Sequence, residues 1–100
     1  MRTVLILSKQ VPILMMRLTD LSKGATALVE RVEDIHAPDP IARRLRDLGF
    51  VPGEPVRVVA FAPWGADPLL VQIGSTRFAL RRAEAQRVSV AIQPGAESAQ

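Results

Sequence analysis

The sequence predicts a mainly β fold: a small antiparallel barrel with one short amphipathic helix in a connection. Five short segments have strand-type composition, and turn signals separate them about every 8 to 12 residues. Only residues 39–49 combine a helical period with caps at both ends. The chain has 100 residues, of which 48% are hydrophobic, so it is long enough for one domain with its own core.

The first predicted strand covers residues 25–32. Ala27 and Val29 alternate toward the interior, whereas Glu30 and Arg31 face water. Val32 falls out of this two-residue period, which predicts a β-bulge near Glu30. A polar loop over residues 33–38 then leads to the helix.

The helix is the clearest element of the sequence. Asp39 can accept hydrogen bonds from the first amides, Pro40 suits the first helical position, and Gly49 can adopt the left-handed conformation after the last turn. Positions i, i+4 and i+7 form one apolar stripe, composed of Ile41, Leu45 and Leu48. The helix is therefore expected to pack on an apolar surface through this stripe.

Four more strands follow the helix. A Pro52-Gly53 turn precedes a strand at 56–61, and residues 63–68 form a loop at a hairpin tip. Two further strands, 69–73 and 76–80, are joined by Gly-Ser, which is typical of a type II′ hairpin turn.

The end of the chain continues the pattern. Residues 81–86 fit a single helical turn, and residues 88–92 alternate as the last strand. Residues 94–100 are small and polar, so we expect a disordered tail.

Residues 1–16 form an N-terminal extension that does not share the pattern of the domain expected at 17–93. Lys9 and Gln10 interrupt its apolar run, and no signal-peptide cleavage site follows. The extension could be an extra strand, a sticky arm, or translation upstream of a true start at Met15 or Met16. We favour the last reading, because the patterned domain begins only at Leu18. No segment has the roughly 18 to 20 uninterrupted apolar residues that a bilayer span needs.

The composition excludes several kinds of chemistry. The chain has no cysteine and one histidine, so disulfides, thiolate metal sites and cysteine nucleophiles are absent. No serine is placed with a paired base, and no glycine-rich phosphate loop precedes a helix. We therefore expect a binding module rather than an enzyme, with no resident cofactor.

Three stretches carry a recognisable pattern. Residues 44–53 read Arg-Leu-Arg-Asp-Leu-Gly-Phe-Val-Pro-Gly, residues 62–68 read Ala-Pro-Trp-Gly-Ala-Asp-Pro, and residues 78–85 read Phe-Ala-Leu-Arg-Arg-Ala-Glu-Ala. Together with Gly24, they make the chain resemble the FeoA family, the ferrous iron transport protein A domain, over about residues 18–92. Ala66 is an insertion relative to the family pattern of the hairpin tip.

The resemblance implies an SH3-like barrel and a cytoplasmic protein with an accessory, regulatory role in ferrous iron uptake. The implied partner is FeoB, the large ferrous iron permease with a cytoplasmic GTPase domain, so the chain would meet a membrane only through that partner. Similar domains lie at the C-terminus of metal-responsive DNA-binding repressors. No helix-turn-helix segment precedes this barrel, so we interpret the chain as the stand-alone form.

Two groups of residues are expected to bind the partner. Trp64 at the hairpin tip is suited to anchoring an interface, although it could instead fold over the barrel as a lid. The helix arginines could steer an acidic patch, or simply form the solvated face of the helix. The candidate residues are Pro63, Trp64, Gly65 and Asp67 at the tip, and Arg43, Arg44 and Arg46 on the helix.

The polar loop offers a weaker alternative, direct sensing of ferrous iron. Its nitrogen and oxygen donors are His36, Glu33, Asp34 and Asp39. Ordinary solvated loops have the same composition, so no dedicated metal site is expected.

A regulatory or nucleic-acid-binding barrel is a further alternative, because one fold hosts many functions. The net charge of +3 is mild, the basic residues are scattered, and four aromatic residues are too few for a base-stacking platform. Nucleic acid is therefore not the expected partner.

Overall fold

The computed structural model describes residues 4–8, 11–63, 65 and 67–92. Its strands are β1 (Val4–Ser8), β2 (Val11–Arg17), β3 (Thr26–Val32), β4 (Pro55–Phe61), β5 (Leu69–Ile73), β6 (Thr76–Leu80) and β7 (Val88–Ile92). Its helices are α1 (Pro40–Leu48) and α2 (Arg82–Ala85), and a 3₁₀ turn covers Leu18–Asp20.

All described strands belong to one antiparallel sheet with the order β1-β2-β7-β3-β4-β5-β6. The prediction of a mainly β fold with one short amphipathic helix in a connection is confirmed. The sheet is barrel-like without closing, because β1 and β6 remain as its two ends in the described part of the chain.

The five predicted strands are present with bounds that differ by at most one residue. The predicted bulge is also present, since the pairing of β3 with β7 shifts register between Val29 and Arg31. A second irregularity lies between Val58 and Ala60 on β4 and was not predicted. The Gly74-Ser75 hairpin turn is confirmed, with a positive φ of 58° at Gly74.

The N-terminal residues extend the sheet. β1 and β2 form a hairpin, and β2 pairs with β7 from Leu14 opposite Ile92 to Arg17 opposite Ser89. The first of the three interpretations of the extension, additional β-structure, agrees with the structure, in which β1 and β2 are two added strands. The start of translation at Met15 or Met16 remains a prediction. The expected tail at 94–100 and Trp64 lie outside the described residues.

The core lies on one face of the sheet, where inward positions of β3, β4, β5 and β7 meet α1. The caps of α1 are as predicted: Asp39 is the N-cap, and Gly49 has a φ of 116°. The predicted apolar stripe is wrong at Ile41, which is 38% exposed. The helix is rotated so that Ala42 takes the inward position beside Leu45, which leaves Ile41 at the rim.

Candidate functional site

Asp39 ties the polar loop to the rest of the fold, and its side chain has no exposed area. Oδ1 accepts hydrogen bonds from the amides of Ile41 and Ala42, both at 3.2 Å. Oδ2 accepts from the amide of Ile35 at 2.9 Å and from Nε of Arg87 at 2.8 Å. The Arg87 bond, followed by the backbone amides, holds the pKa of Asp39 far below its ordinary value. Because its oxygens are occupied, Asp39 acts as a cap and a clamp rather than as a metal ligand.

Arg87 is the other half of this buried pair, and it is 6% exposed. Besides Asp39, it binds the carbonyl of Ala83 through Nη1 at 2.7 Å. One guanidinium thus joins the loop before α1 to α2 and to the start of β7. Arg87 was not predicted from the sequence, because a single arginine before a strand carries no periodic signal.

Glu33 lies between two arginines from different strands. Its carboxylate is 2.8 Å from Nη2 of Arg17 on β2 and 3.1 Å from Nη2 of Arg31 on β3. Both arginines pair in register with Ser89 of β7, so Glu33 bridges across that strand. The hydrogen bond from Arg17, and then the contribution of Arg31, lower the pKa of Glu33 against the opposing effect of burial.

The other two loop candidates also have protein partners. Asp34 accepts a hydrogen bond from Nη2 of Arg46 at 3.0 Å. His36 is exposed, and its Nδ1 lies 2.8 Å from the carbonyl oxygen of Pro38. Within residues 4–8, 11–63, 65 and 67–92, no three histidine or carboxylate side chains form a group that could hold a metal ion. The loop donors are thus directed to separate partners.

The helix arginines divide into two kinds. Arg46 is bound to the fold, because its Nη2 also donates to the carbonyl of Val32 at 2.7 Å. Arg43 and Arg44 are exposed and form no ion pair with any residue that the structure describes. Only these two are therefore available to a partner without breaking an internal contact.

Two exposed isoleucines accompany these arginines. Ile35 is 63% exposed, and Ile41 is 38% exposed. Their amides bind opposite oxygens of Asp39, so the two residues lie on either side of that carboxylate. Arg44 follows Ile41 by three residues, so these two side chains are neighbours on α1, whereas Arg43 lies further round the helix. We call the exposed residues at the start of α1, Ile35, Ile41, Arg43 and Arg44, the α1 surface. Its apolar half was missed, since Ile41 was expected in the core.

The hairpin tip is held at two points. The amide of Ala62 donates to the carbonyl of Pro68 at 3.0 Å and closes the tip. Oδ1 of Asp67 accepts from the amide of Arg82 at 3.1 Å, which ties the tip to α2. Pro63, Gly65 and Asp67 are exposed, as expected of a contact loop. No hydrogen bond or ion pair in the described part of the chain joins this tip to α1, so no polar contact couples the two predicted contact regions.

Comparison with known proteins identifies the family. The FeoA domain model matches residues 16–92. The chain belongs to the FeoA family. A comparison with curated protein sequences gave no significant match.

Solved structures of FeoA proteins agree with the fold. FeoA from Stenotrophomonas maltophilia, solved with zinc, is 56% identical, with a TM-score of 0.69 over 82% of this chain and 93% of that one. It is described as a prokaryotic SH3 domain protein and a candidate activating factor of bacterial ferrous iron transport. FeoA from Chlorobium tepidum is 39% identical, with a TM-score of 0.67 over 77% of this chain and 70% of that one. The SH3-like fold expected for this FeoA chain is thus confirmed.

A similar domain occurs within a larger regulator. A manganese-dependent transcriptional repressor is 25% identical over 76% of this chain, with a TM-score of 0.65, and the match covers 40% of that protein. The likeness to a repressor domain agrees with the expectation from the resemblance. Among the described residues of this FeoA chain, no helix is long and apolar enough to cross a bilayer.

Proposed function

We propose that this chain is a non-enzymatic accessory module of ferrous iron uptake that docks on the cytoplasmic part of a FeoB-type permease. The observation that carries the proposal is the family match over residues 16–92. The 56% identical relative, described as a candidate activating factor of ferrous iron transport, supports the same role.

The α1 surface is the first contact that we propose. Arg43 and Arg44 form no ion pair with a described carboxylate, so an acidic patch on the partner would not have to break an internal pair, although the exposed Asp47, three and four residues further along α1, offsets part of their charge. Ile35 and Ile41 add exposed apolar area to the same surface. Burying this area would slow dissociation of the complex, which charge attraction alone does not do. Arg46 contributes less, because it is already bound to Asp34 and Val32.

The hairpin tip is the second contact. Pro63 and Gly65 are exposed, and Asp67 accepts a hydrogen bond from the amide of Arg82, which ties the end of this loop to α2. Trp64 between them is proposed as the apolar anchor. A tryptophan on such a loop can bury a large area at little entropic cost.

The absence of an enzymatic role is proposed on two grounds. The lowered pKa values of Asp39 and Glu33 are explained by arginines that hold the fold together. Perturbed carboxyl groups of this kind are found in structural ion pairs as well as in active sites. The family is, in addition, a transport accessory family.

A pull-down with the detergent-solubilised permease tests the proposal. We expect the full chain to retain the permease, and Arg44→Glu to reduce retention by tenfold or more. Lys23→Glu, which makes the same charge change in the exposed turn before β3, is the matched control and should retain binding. Trp64→Ala should also weaken retention. Adding guanine nucleotide or ferrous iron shows whether the contact responds to the state of the permease.

Four results would contradict this assignment. Equal retention by Arg44→Glu, Trp64→Ala and the unmodified chain would remove the proposed contacts. Failure to retain the permease under every condition, with a folded protein, would remove the proposed partner. Binding to nucleic acid with a steep salt dependence would replace it with a regulatory role, and loss of metal affinity on His36→Ala alone would favour direct sensing.

A further inference from the structure

The face of the sheet that points away from the core carries an apolar row. Met15 on β2 pairs with Ala91 on β7, Ala91 pairs with Leu28 on β3, and Leu28 pairs with Pro55 on β4. These positions alternate with Val29 and Val90, which are buried in the core, so the row lies on the opposite face. We call these four residues the outer row.

The outer row is uncharged, with Leu28 and Pro55 exposed and Met15 and Ala91 half-buried. Neighbouring strands are about 4.8 Å apart, so the row extends for roughly 14 Å across four strands. Leu28 lies inside the row rather than at its end, and it is 49% exposed. Because Met15, Ala91 and Pro55 continue the row on both sides of Leu28, the apolar surface is contiguous, and contiguous apolar patches, unlike single exposed residues, mark contact surfaces.

A basic row runs beside it, about 7 Å away along the strands. Thr26, Arg57, Gln72 and Arg77 pair successively across β3, β4, β5 and β6. Nε of Arg77 donates to Oε1 of Gln72 at 3.1 Å. Arg57 and Arg77 are exposed and form no ion pair with the described residues.

The arginines on the other side of the outer row differ. Arg17 and Arg31 share the carboxylate of Glu33. Their charge is thus partly neutralised, whereas Arg57 and Arg77 form no ion pair. The positive charge that no ion pair engages on this face therefore lies along β4 to β6, next to the exposed Leu28. Two unpaired carboxylates of the described residues lie near it: Glu30 is exposed two residues after Leu28, and Glu54 lines a surface groove together with Arg57.

We propose that this face binds the surface of an anionic lipid bilayer. Long arginine side chains can hold their charge at the phosphate level while neighbouring aliphatic groups enter the acyl boundary. Leu28 and Met15 would supply the apolar contact, and Arg57 and Arg77 the electrostatic attraction. This proposal does not depend on the identity of any protein partner, and it replaces the expectation that the chain meets a membrane only through one.

Two other occupants fit the observations less well. A peptide from a partner would have to follow a row that crosses four strands and turns by about 20° at each one, whereas a fluid lipid surface imposes no register. A second copy of the chain would bring like-charged arginine rows together in an isologous pair. A layer of lipid phosphates would pair directly with Arg57 and Arg77 beside the outer row, which neither of these occupants does.

Co-sedimentation of the full chain with 100 nm vesicles tests the proposal. The probe is phosphatidylcholine with one third phosphatidylglycerol, and pure phosphatidylcholine vesicles are the reference. We expect binding to the anionic vesicles that weakens in 0.5 M salt, and much weaker binding to the neutral ones. Arg57→Gln and Arg77→Gln should each lower the partition coefficient by roughly fivefold.

Matched variants distinguish binding through this face from attraction caused by the net charge of the whole molecule. Lys23→Gln lowers the net charge by the same amount as Arg57→Gln, but lies in the turn before β3 and outside the rows, so its effect should stay below about twofold. Leu28→Ser should weaken binding by roughly fivefold or more. Val51→Ser, which changes another exposed aliphatic residue after α1, should not weaken it.

The results that would overturn the proposal are distinct. They are the absence of binding to anionic vesicles, equal binding to neutral vesicles, or equal losses for Lys23→Gln and Arg57→Gln. Circular dichroism of each variant confirms that its fold is retained. A lipid-free dimer that Leu28→Ser dissociates, seen by light scattering, would assign the face to a second copy instead.

Discussion

Replacing Arg87 by Met should destabilise the fold strongly, because it leaves the carboxylate of Asp39 buried without its charged partner. Breaking one side of a buried ion pair is among the costlier single substitutions. Here the carboxylate keeps its three backbone amide donors, from Ile35, Ile41 and Ala42. The loss in free energy of unfolding should therefore lie at the lower end of what is typical for a broken buried ion pair. The bond to Ala83 is lost as well, while Met keeps most of the packing of the arginine stem.

For a domain of about 100 residues, the loss in free energy of unfolding expected for a broken buried ion pair lowers the melting temperature by roughly 12 °C or more. Thermal unfolding followed by circular dichroism at pH 7 measures it. Arg43→Met removes an exposed arginine by the same substitution and should change the melting temperature by about 2 °C or less. Combining Arg87→Met with Asp39→Asn should cost less than the sum of the two single variants, because the charge left buried is removed too.

A loss for Arg87→Met as small as that for Arg43→Met would refute this reasoning. So would strict additivity with Asp39→Asn. Either result would mean that water or backbone movement compensates the carboxylate when the arginine is absent, and that the pair does not hold the loop to β7.

Three further predictions concern the core, the helix cap and acid. Leu45→Ala should lower the free energy of unfolding by about 2 to 5 kcal/mol in a urea titration, because Leu45 is 2% exposed and its removal leaves a cavity. Gly49→Ala should lower it by about 1 to 2 kcal/mol, since Ala is strained at a φ of 116°; an unchanged urea midpoint would contradict this. The pKa values of Asp39 and Glu33 are lowered in the folded state, so their stabilisation is complete above the unfolded values near 4 and is lost as pH falls through the folded ones. The melting temperature should therefore decrease as the pH is lowered below about 5, and Asp39→Asn should make this decrease smaller.

The sequence predicted what depends on neighbouring residues. Asp39, Pro40 and Gly49 each act within one turn of the helix end, so the bounds of α1 followed from local chemistry alone. The bulge near Glu30 was visible because Val32 breaks the two-residue period of its own strand. The strands followed from alternation and turn residues in the same way.

What it did not predict depends on tertiary contacts. The rotation of α1 that exposes Ile41 is set by how Ala42 and Leu45 fit against the sheet, and an i, i+4 pattern does not contain that information. The pair between Asp39 and Arg87 joins residues 48 positions apart. The apolar row on the outer face likewise exists only once four strands are placed in register.

The same distinction between local pattern and tertiary contact applies to the candidate site. That the helix arginines lie on the solvated side was predictable from the helical period. The distinction between Arg46, which is bound to the loop, and Arg44, which is not, required the positions of Asp34 and Val32. The sequence thus located the surface but not which of its charges are available.

The place of β7 in the sheet has a consequence for synthesis on the ribosome. Of the described strands this one is made last, yet it lies between β2 and β3, which do not pair with each other. Until residues 88–92 leave the exit tunnel, the N-terminal hairpin and the strands from β3 onward are separate pieces of an incomplete sheet. These two pieces can therefore join into one sheet only after β7 has been made, so the long-range pairings β2-β7 and β3-β7 form late in folding.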